Sequence, residues 1–267
     1  MIVDGKEIAK EIYASVKAEV ALLSRPPIMA AITCAPNFET RKYLELKKRK
    51  AEEVGITLRV VELPETATTA EAVACVEAVV SQVDGVVVQL PLPVQIDREA
   101  VLAAVPTAKD PDGFSYGIDS GACLPPVVGA IDAIAKKHQV DFKNMHTVVL
   151  GQGRLVGAPA ARFLRDGGAK VTTLTEADKD NLSALNEADC VVTGIGKPHY
   201  VTSDMVKEGV LIFDAGTSED GGVVVGDVDP AVAQKAYVYT PVPGGIGPLT
   251  IAILLQNLVA LYTPATK

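Results

Sequence analysis

The chain has few of the residues on which imidazole, metal and disulfide chemistry depend. His138, His146 and His199 are its only histidines, so catalysis built on several imidazoles is not expected. Cys34, Cys75, Cys123 and Cys190 are widely spaced, and no two form a CxxC pair. That spacing argues against a metal site or a disulfide framework and fits reduced thiols in a cytoplasmic enzyme. No apolar run approaches the ~20 residues that span a bilayer, so no membrane partner is expected. The N-terminus carries Asp4 and Glu7 in place of an apolar segment, so no signal peptide is expected. Excess positive charge is also missing: the formal net charge is -8 at pH 7, which argues against a nucleic-acid partner. There is no internal repeat and no low-complexity segment.

Hydrophobic residues make up 48% of the 267 positions, enough for a real core in one large domain or two small ones. Residues 4–23 place Ile8, Ile12, Val16, Val20 and Leu23 at helical spacing behind a capping Asp4. Strands predicted over 28–33, 57–63 and 86–88 alternate with helices over 39–54 and 69–83. The third strand is apolar throughout, which favours a parallel sheet covered on both faces. Prolines punctuate residues 91–126 around a short helix near 98–104. A second alternating unit follows: a helix over 127–137, a strand over 147–150, a helix over 155–165, and strands over 170–174, 190–193, 211–214 and 237–239. A β excursion at 223–225 and a last helix over 249–261 complete the pattern. The expectation is an α/β protein of two domains. Residues 1–130 plus 249–267 form one; residues 131–248 form a Rossmann-type, doubly wound parallel sheet.

The stretch TPVPGGIGPLTIAILLQN, residues 240–257, combines Pro241, Pro243 and Pro248 with Gly244, Gly245 and Gly247. It reads as a stiff, side-chain-poor loop feeding a helix N-terminus, with Pro248 suited to the first turn. Such a loop either presses backbone N–H groups against a ligand or simply connects strand to helix. Tyr43 and Lys47 are four apart, so a helix puts phenol and ammonium on one face. Arg41, Lys42, Lys48, Arg49 and Lys50 surround them, either as a basic patch for an anionic substrate tail or as a solvated face. In DGVVVQLPLP, residues 84–93, Gln89 ends an apolar strand, where α/β sheets present ligand-facing residues. In KDPDGF, residues 109–114, Asp110 and Asp112 read as turn formers or as a carboxylate for an amidine-like edge such as a pterin's. GQGRLVG, residues 151–157, follows a strand and opens a helix, the context dinucleotide binding requires; its spacing is one residue wider than GxGxxG.

Together these stretches resemble the bifunctional methylenetetrahydrofolate dehydrogenase/cyclohydrolase family. The matches are YxxxK at Tyr43 and Lys47, AEEVGI at 51–56, DGVVVQLPLP, KDPDGF, GxxxxVGxP at 151–159, GIGKP at 194–198, VGDVD at 225–229 and TPVPGGIGPLT at 240–250. They stand in the family's order along nearly the whole chain. The resemblance implies two α/β domains flanking a cleft, usually in a homodimer, acting on tetrahydrofolate one-carbon substrates. It implies oxidation of 5,10-methylenetetrahydrofolate by NAD or NADP, then hydrolysis of the methenyl product to 10-formyltetrahydrofolate. Lys47 would be the catalytic lysine, bonded to Gln89. Tyr43 would position the folate and Asp112 would bind the pterin edge. Pro243 and Gly244 would line the folate site. Gly151, Gln152, Gly153, Leu155 and Val156 would meet the dinucleotide, with Thr175 and Glu176 at the end of the next strand. Gly194 and Ile195 would form the opposite wall, and Thr250 would lie near the cofactor.

Several positions depart from the family's pattern. Where members have GRS, this chain has Gly151-Gln152-Gly153, so the arginine that helps hold a 2′-phosphate is missing. Where members often carry His-Ser, it has Thr175-Glu176. Glu176 stands near the place of the acidic residue that bonds a ribose 2′-OH, and a carboxylate there repels a 2′-phosphate. NAD is therefore expected over NADP. Leu124-Pro125-Pro126-Val127 replaces PCTP and loses a hydroxyl near the cofactor. The loop before Tyr43 lacks the usual glycine, though Thr40 keeps a hydroxyl, and Pro111 stands where an aliphatic residue is usual. Three rival readings exist. One is a dehydrogenase of the same architecture with weak or absent hydrolysis, opposed by the retained Tyr43, Lys47 and Gln89. Another is a non-catalytic folate or dinucleotide binder, opposed by Lys47 and Asp112. The third, a dehydrogenase for another small substrate, does not account for VQLPLP and PVPGGIGP together.

Overall fold

The computed structural model describes residues 1–175, 178 and 183–262. The chain divides into two compact units, Met1–Lys10 with Pro126–Thr250, and Glu11–Pro125 with Ile251–Lys267. Among the described residues no helix is long and apolar enough to cross a membrane, and no three His, Cys, Asp or Glu side chains are grouped to hold a metal ion.

The unit of residues 11–125 is built on three parallel strands, β1 (Ile28–Cys34), β2 (Thr57–Leu63) and β3 (Gly85–Val88), in the order β2-β1-β3. β1 sends Met29 and Ala31 to one face. There they join Val16 of α1 (Gly5–Ala21), Leu44 and Ala51 of α2 (Phe38–Glu53), and Leu254, Leu255 and Leu258 of α8 (Gly247–Tyr262). Ala30 and Ile32 go to the other face, with Ala72 and Val76 of α3 (Thr69–Val80) and Val101 and Leu102 of α4 (Arg98–Ala103). Both faces are covered, which is why β3 carries no polar alternation. Asn37 caps α2 by accepting the Thr40 N–H at 2.8 Å, and Gly55, at φ +85°, supplies the left-handed stop. α3 ends at Val80, short of the predicted residue 83. Gln82 N–H turns back onto the Val79 carbonyl, and Lys109 Nζ takes the carbonyls of Val80 and Val83 at 2.6 and 2.8 Å.

The other unit carries α5 (Pro126–Lys137), β4 (His146–Leu150), α6 (Gly157–Asp166), β5 (Lys170–Leu174), α7 (Ala184–Glu187), β6 (Cys190–Thr193), β7 (Leu211–Asp214), β8 (Ser218–Asp220), β9 (Val223–Val225) and β10 (Val238–Tyr239). Five strands form a parallel sheet in the order β10-β7-β6-β4-β5, while β8 and β9 pair as a separate antiparallel hairpin. This is a doubly wound order whose direction reverses between β4 and β6. Val148, Val191 and Ile212 pack with Leu185 and Val232. Phe213, pointing to the opposite face, meets Phe142 at a ring separation of 5.9 Å, and Phe142 meets Phe163 edge-on at 6.2 Å.

Two boundaries differ from the sequence expectation. Residues 1–10 go with this unit and not with residues 11–125. Ile2 bridges Tyr239 in parallel, and the Val3 and Tyr239 N–H groups bond the Tyr239 and Met1 carbonyls at 2.9 Å, so the N-terminus covers the open edge of β10. The helix after β4 begins at Gly157 and not at residue 155. The Val156 and Ala158 N–H groups both turn onto the Gly153 carbonyl, at 3.3 and 3.1 Å, before regular helix begins.

Candidate active site

In the order β2-β1-β3 the chain leaves β1 for β2 on one side and then crosses back to β3 on the other, so a switch point lies between the carboxyl ends of β1 and β3. The chain runs from β1 into α2, and from β3 into Gln89. α2 buries Thr40, Leu44, Lys47 and Ala51, a stripe at helical spacing, and Lys47 holds an apolar position in it at 6% exposure. A buried ammonium needs a partner. Lys47 Nζ donates to Gln89 Oε1 at 2.9 Å and lies 4.8 Å from the centre of the Tyr43 ring. Gln89 is oriented by its own surroundings. Its Nε2 donates to the Leu90 carbonyl at 2.8 Å, which leaves Oε1 to face the lysine. Its backbone N–H donates to the Ile32 carbonyl at 2.8 Å. Tyr43 is exposed, so part of its ring faces solvent.

Asp110 and Asp112 divide the two readings of KDPDGF between them. Asp110 is buried and makes the turn, accepting the Gly113 and Ser115 N–H groups at 3.0 and 3.3 Å. Burial, and secondarily the charge of Asp112, push its carboxyl up to about 6. Asp112 is half-buried and takes no part in that turn. Burial raises its carboxyl above the ordinary range, while the Lys47 ammonium pulls the other way. Tyr43, Lys47, Gln89 and Asp112 thus all lie in the unit of residues 11–125, with Lys47 in contact or electrostatic reach of the other three.

Two residues without a role in the sequence expectation hold the Asp112 loop. Gly113 has φ +67°, and a Cβ there would overlap the Cys123 carbonyl. Asn257 of α8 donates through Nδ2 to the carbonyls of Pro111 and Leu124 at 2.9 and 2.8 Å. The only sequence signal for Asn257 is an amide inside an otherwise apolar helical run.

In the other unit the switch point between β4 and β6 gathers the glycine motifs. Gly151 follows β4 at φ +92°, and the Ile195 Cγ2 methyl stands 2.9 Å from where its Cβ would be. A Cβ on Gly157 would overlap the Gly151 carbonyl, so glycine lets α6 approach β4 closely. One on Gly194 would strike the Val156 side chain. Gly151, Val156, Gly194 and Ile195 are therefore neighbours. At Gly153 no atom lies within 4 Å of the Cβ position, and Gln152, Gly153 and Leu155 are exposed. The result is an open backbone cradle at the N-terminus of α6, which fits the pyrophosphate of a dinucleotide. Thr175, just past β5, bonds the Asp178 carboxylate through its N–H and Oγ1 at 2.8 and 2.7 Å. Glu176 lies outside the described residues.

The loop of residues 240–247 belongs to this same unit. Gly245 N–H closes it onto the Pro241 carbonyl at 2.7 Å, and Gly5 N–H donates to the Gly244 carbonyl at 2.9 Å. Gly244 has φ +119°, Pro243 is exposed, and Pro248 is the second residue of α8. Thr250 Oγ1 bonds the Gly247 carbonyl at 2.8 Å. Two buried acids, Asp214 and Asp227, stand near the ends of β7 and β9 and went unassigned from the sequence. Burial pushes the Asp214 carboxyl up to about 6 against the pull of its backbone N–H donors.

Two family descriptions match the chain. The catalytic domain of tetrahydrofolate dehydrogenase/cyclohydrolase matches residues 3–112, and the NAD(P)-binding domain of the same family matches residues 125–266. The bifunctional protein FolD of Mycoplasmopsis synoviae is 35% identical over 277 residues, covering 98% of this chain and 99% of that protein. The crystal structure of the bifunctional FolD enzyme of Campylobacter jejuni superposes with a TM-score of 0.93 at 33% identity, over 98% of each chain. The Trypanosoma brucei enzyme, complexed with NADP cofactor and inhibitor, superposes with a TM-score of 0.92 at 31% identity, over 98% of this chain and 97% of that one.

Proposed function

The chain belongs to the tetrahydrofolate dehydrogenase/cyclohydrolase family, and from that premise we propose how its residues divide the work. It is a bifunctional enzyme that oxidises 5,10-methylenetetrahydrofolate with a nicotinamide cofactor and hydrolyses the methenyl product to 10-formyltetrahydrofolate. Lys47 carries the hydrolysis. Its amine takes the proton of the water that attacks the methenyl carbon, and Gln89 Oε1, 2.9 Å away, fixes where that amine points. Tyr43 holds the folate ring by stacking. Asp112 pairs with the pterin's amino group and ring N–H through two parallel bonds.

The open cradle at Gly151, Gln152 and Gly153, with Leu155 and Val156, would hold the dinucleotide against Gly194 and Ile195, with Thr175 and Thr250 beside it. When bound there, a nicotinamide cofactor would supply the hydride acceptor for the folate's methylene carbon. That step needs no acid from the protein, only the two rings held in contact. Gln152 in place of an arginine, and Glu176 past β5, favour NAD over NADP. The family resemblance further supports a homodimer in the cytoplasm, which sedimentation would check for assembly.

The observation that carries this reading is Lys47 itself, 6% exposed in an apolar stripe and bonded to a neutral amide. Its test is an absorbance assay of 5,10-methylenetetrahydrofolate with NAD, then NADP, on wild type and Lys47→Met. Wild type should reduce NAD with the higher kcat/KM, and the variant should accumulate methenyl product. A clear NADP preference would sink the cofactor assignment. Undiminished hydrolysis in the variant would sink the assignment of Lys47.

A further inference from the structure

Asp227 belongs to VGDVD, a motif to which the two reactions give no role. Its side chain is fully buried, and its carboxylate receives the segment that follows β6. Oδ2 accepts the Thr193 hydroxyl at 2.7 Å and the Ile195 N–H at 2.8 Å; Oδ1 accepts the Lys197 N–H at 2.8 Å. Asp227 is itself fixed from β7. Its N–H donates to Asp214 Oδ1 at 3.2 Å, and the Val228 N–H donates to Asp214 Oδ2 at 2.9 Å. Glycines make room for both acids: a Cβ on Gly216 would overlap the Asp227 carboxylate, and one on Gly226 would overlap that of Asp214. Charge-assisted bonds of this kind are about twice as strong as neutral ones. They end on the residue that matters for the cradle. Ile195, whose N–H Asp227 holds, presses its methyl on Gly151, and its neighbour Gly194 packs on Val156.

We propose that Asp227 is a positioning residue for the dinucleotide, presetting the Ile195–Lys197 backbone as one wall of the cradle. This rests on the cofactor-site assignment above. Asp227→Asn tests it. The amide replaces one acceptor oxygen with a donor. The Thr193 hydroxyl can turn, but the N–H groups of Ile195 and Lys197 cannot, so one of them loses its acceptor. The dinucleotide Kd, measured by calorimetry on folate-free enzyme, and its KM should both rise about ten- to a hundredfold. The kcat at saturating dinucleotide should fall by less than about threefold, as expected for lost uniform binding. Hydrolysis of supplied 5,10-methenyltetrahydrofolate, which consumes no dinucleotide, should be unchanged.

Gly153→Val fills the open cradle and serves as the control for the site. If it weakens dinucleotide binding while Asp227→Asn does not, the proposal is overturned and the site stands. If neither weakens binding, both fall. If Asp227→Asn loses hydrolysis as well, the fold has suffered, and Thr193→Val, which removes a single donor, decides. Weaker dinucleotide binding in Thr193→Val that Thr193→Ser restores supports the proposal; unchanged binding in Thr193→Val overturns it.

Discussion

Gln89→Glu is the sharpest probe of the proton chemistry given to Lys47. The exchange is nearly isosteric, so Oε1 stays close to its 2.9 Å from Nζ, but a neutral amide becomes an anion. An opposite charge favours the charged lysine, the form that cannot accept a proton from water. Two unit charges about 4 Å apart attract by about 4 kcal/mol at an effective dielectric of 20. Gln89 is only half-buried, so solvent screening leaves about 2–3 kcal/mol of that. At 1.36 kcal/mol per tenfold, that attraction opposes proton acceptance by about two powers of ten. The substitution also removes the Nε2 bond to the Leu90 carbonyl, which costs about 1–3 kcal/mol of stability and is read separately by thermal unfolding. The assay is hydrolysis of 5,10-methenyltetrahydrofolate at neutral pH, with hydride transfer followed in parallel. Hydrolysis at neutral pH should fall about a hundredfold. Hydride transfer should change far less. Wild-type hydrolysis in the variant would refute proton acceptance by Lys47.

Two further outcomes are expected. Asn257→Ala strips the partner from the Pro111 and Leu124 carbonyls, so it should cost about 1–3 kcal/mol of stability in denaturant titrations and raise the KM for folate. Combined with Asp112→Asn, its effect on folate KM should be less than additive; a simple sum would show that Asn257 does not act through Asp112. Burial moves the Asp110 and Asp214 carboxyls from the ordinary 3.8 to about 6, so the folded chain holds protons that the unfolded chain has released. Their contribution to stability is complete below the ordinary value and lost as pH rises through 6. Tm should therefore fall between pH 5 and 7 by an amount worth about 1 kcal/mol per carboxyl, and Asp110→Asn should flatten the slope. A Tm that is level or rising over that window contradicts the assignment.

What the sequence discloses and what it hides follow from how far each interaction reaches. Strands β1, β3, β6 and β7 lack polar alternation because helices cover both faces, so the parallel architecture is readable residue by residue. Lys47 is readable from its spacing to Tyr43 and from the family resemblance, whereas its place in a buried stripe with Thr40, Leu44 and Ala51 shows only in the fold. The turn at KDPDGF is more ambiguous. Two carboxylates two residues apart have equal claim on the Gly113 and Ser115 N–H groups, and only the fold gives them to Asp110, keeping Asp112 out of the turn. The edge pairing of Ile2 with Tyr239 leaves no pattern at all, since three extended residues are too few to show a period. Asn257 and Asp227 were missed for a different reason. Asn257 acts across 146 and 133 positions and Asp227 across 30 to 34, and both bond chiefly to backbone, whose polar groups are the same at every residue. A side chain that meets a ligand leaves a chemical type at a spacing, whereas one that holds another segment's backbone leaves only its own identity. The residues that shape this enzyme's loops are therefore the ones its sequence conceals, and tests aimed at Asn257 and Asp227 ask more of the structure than tests aimed at Lys47.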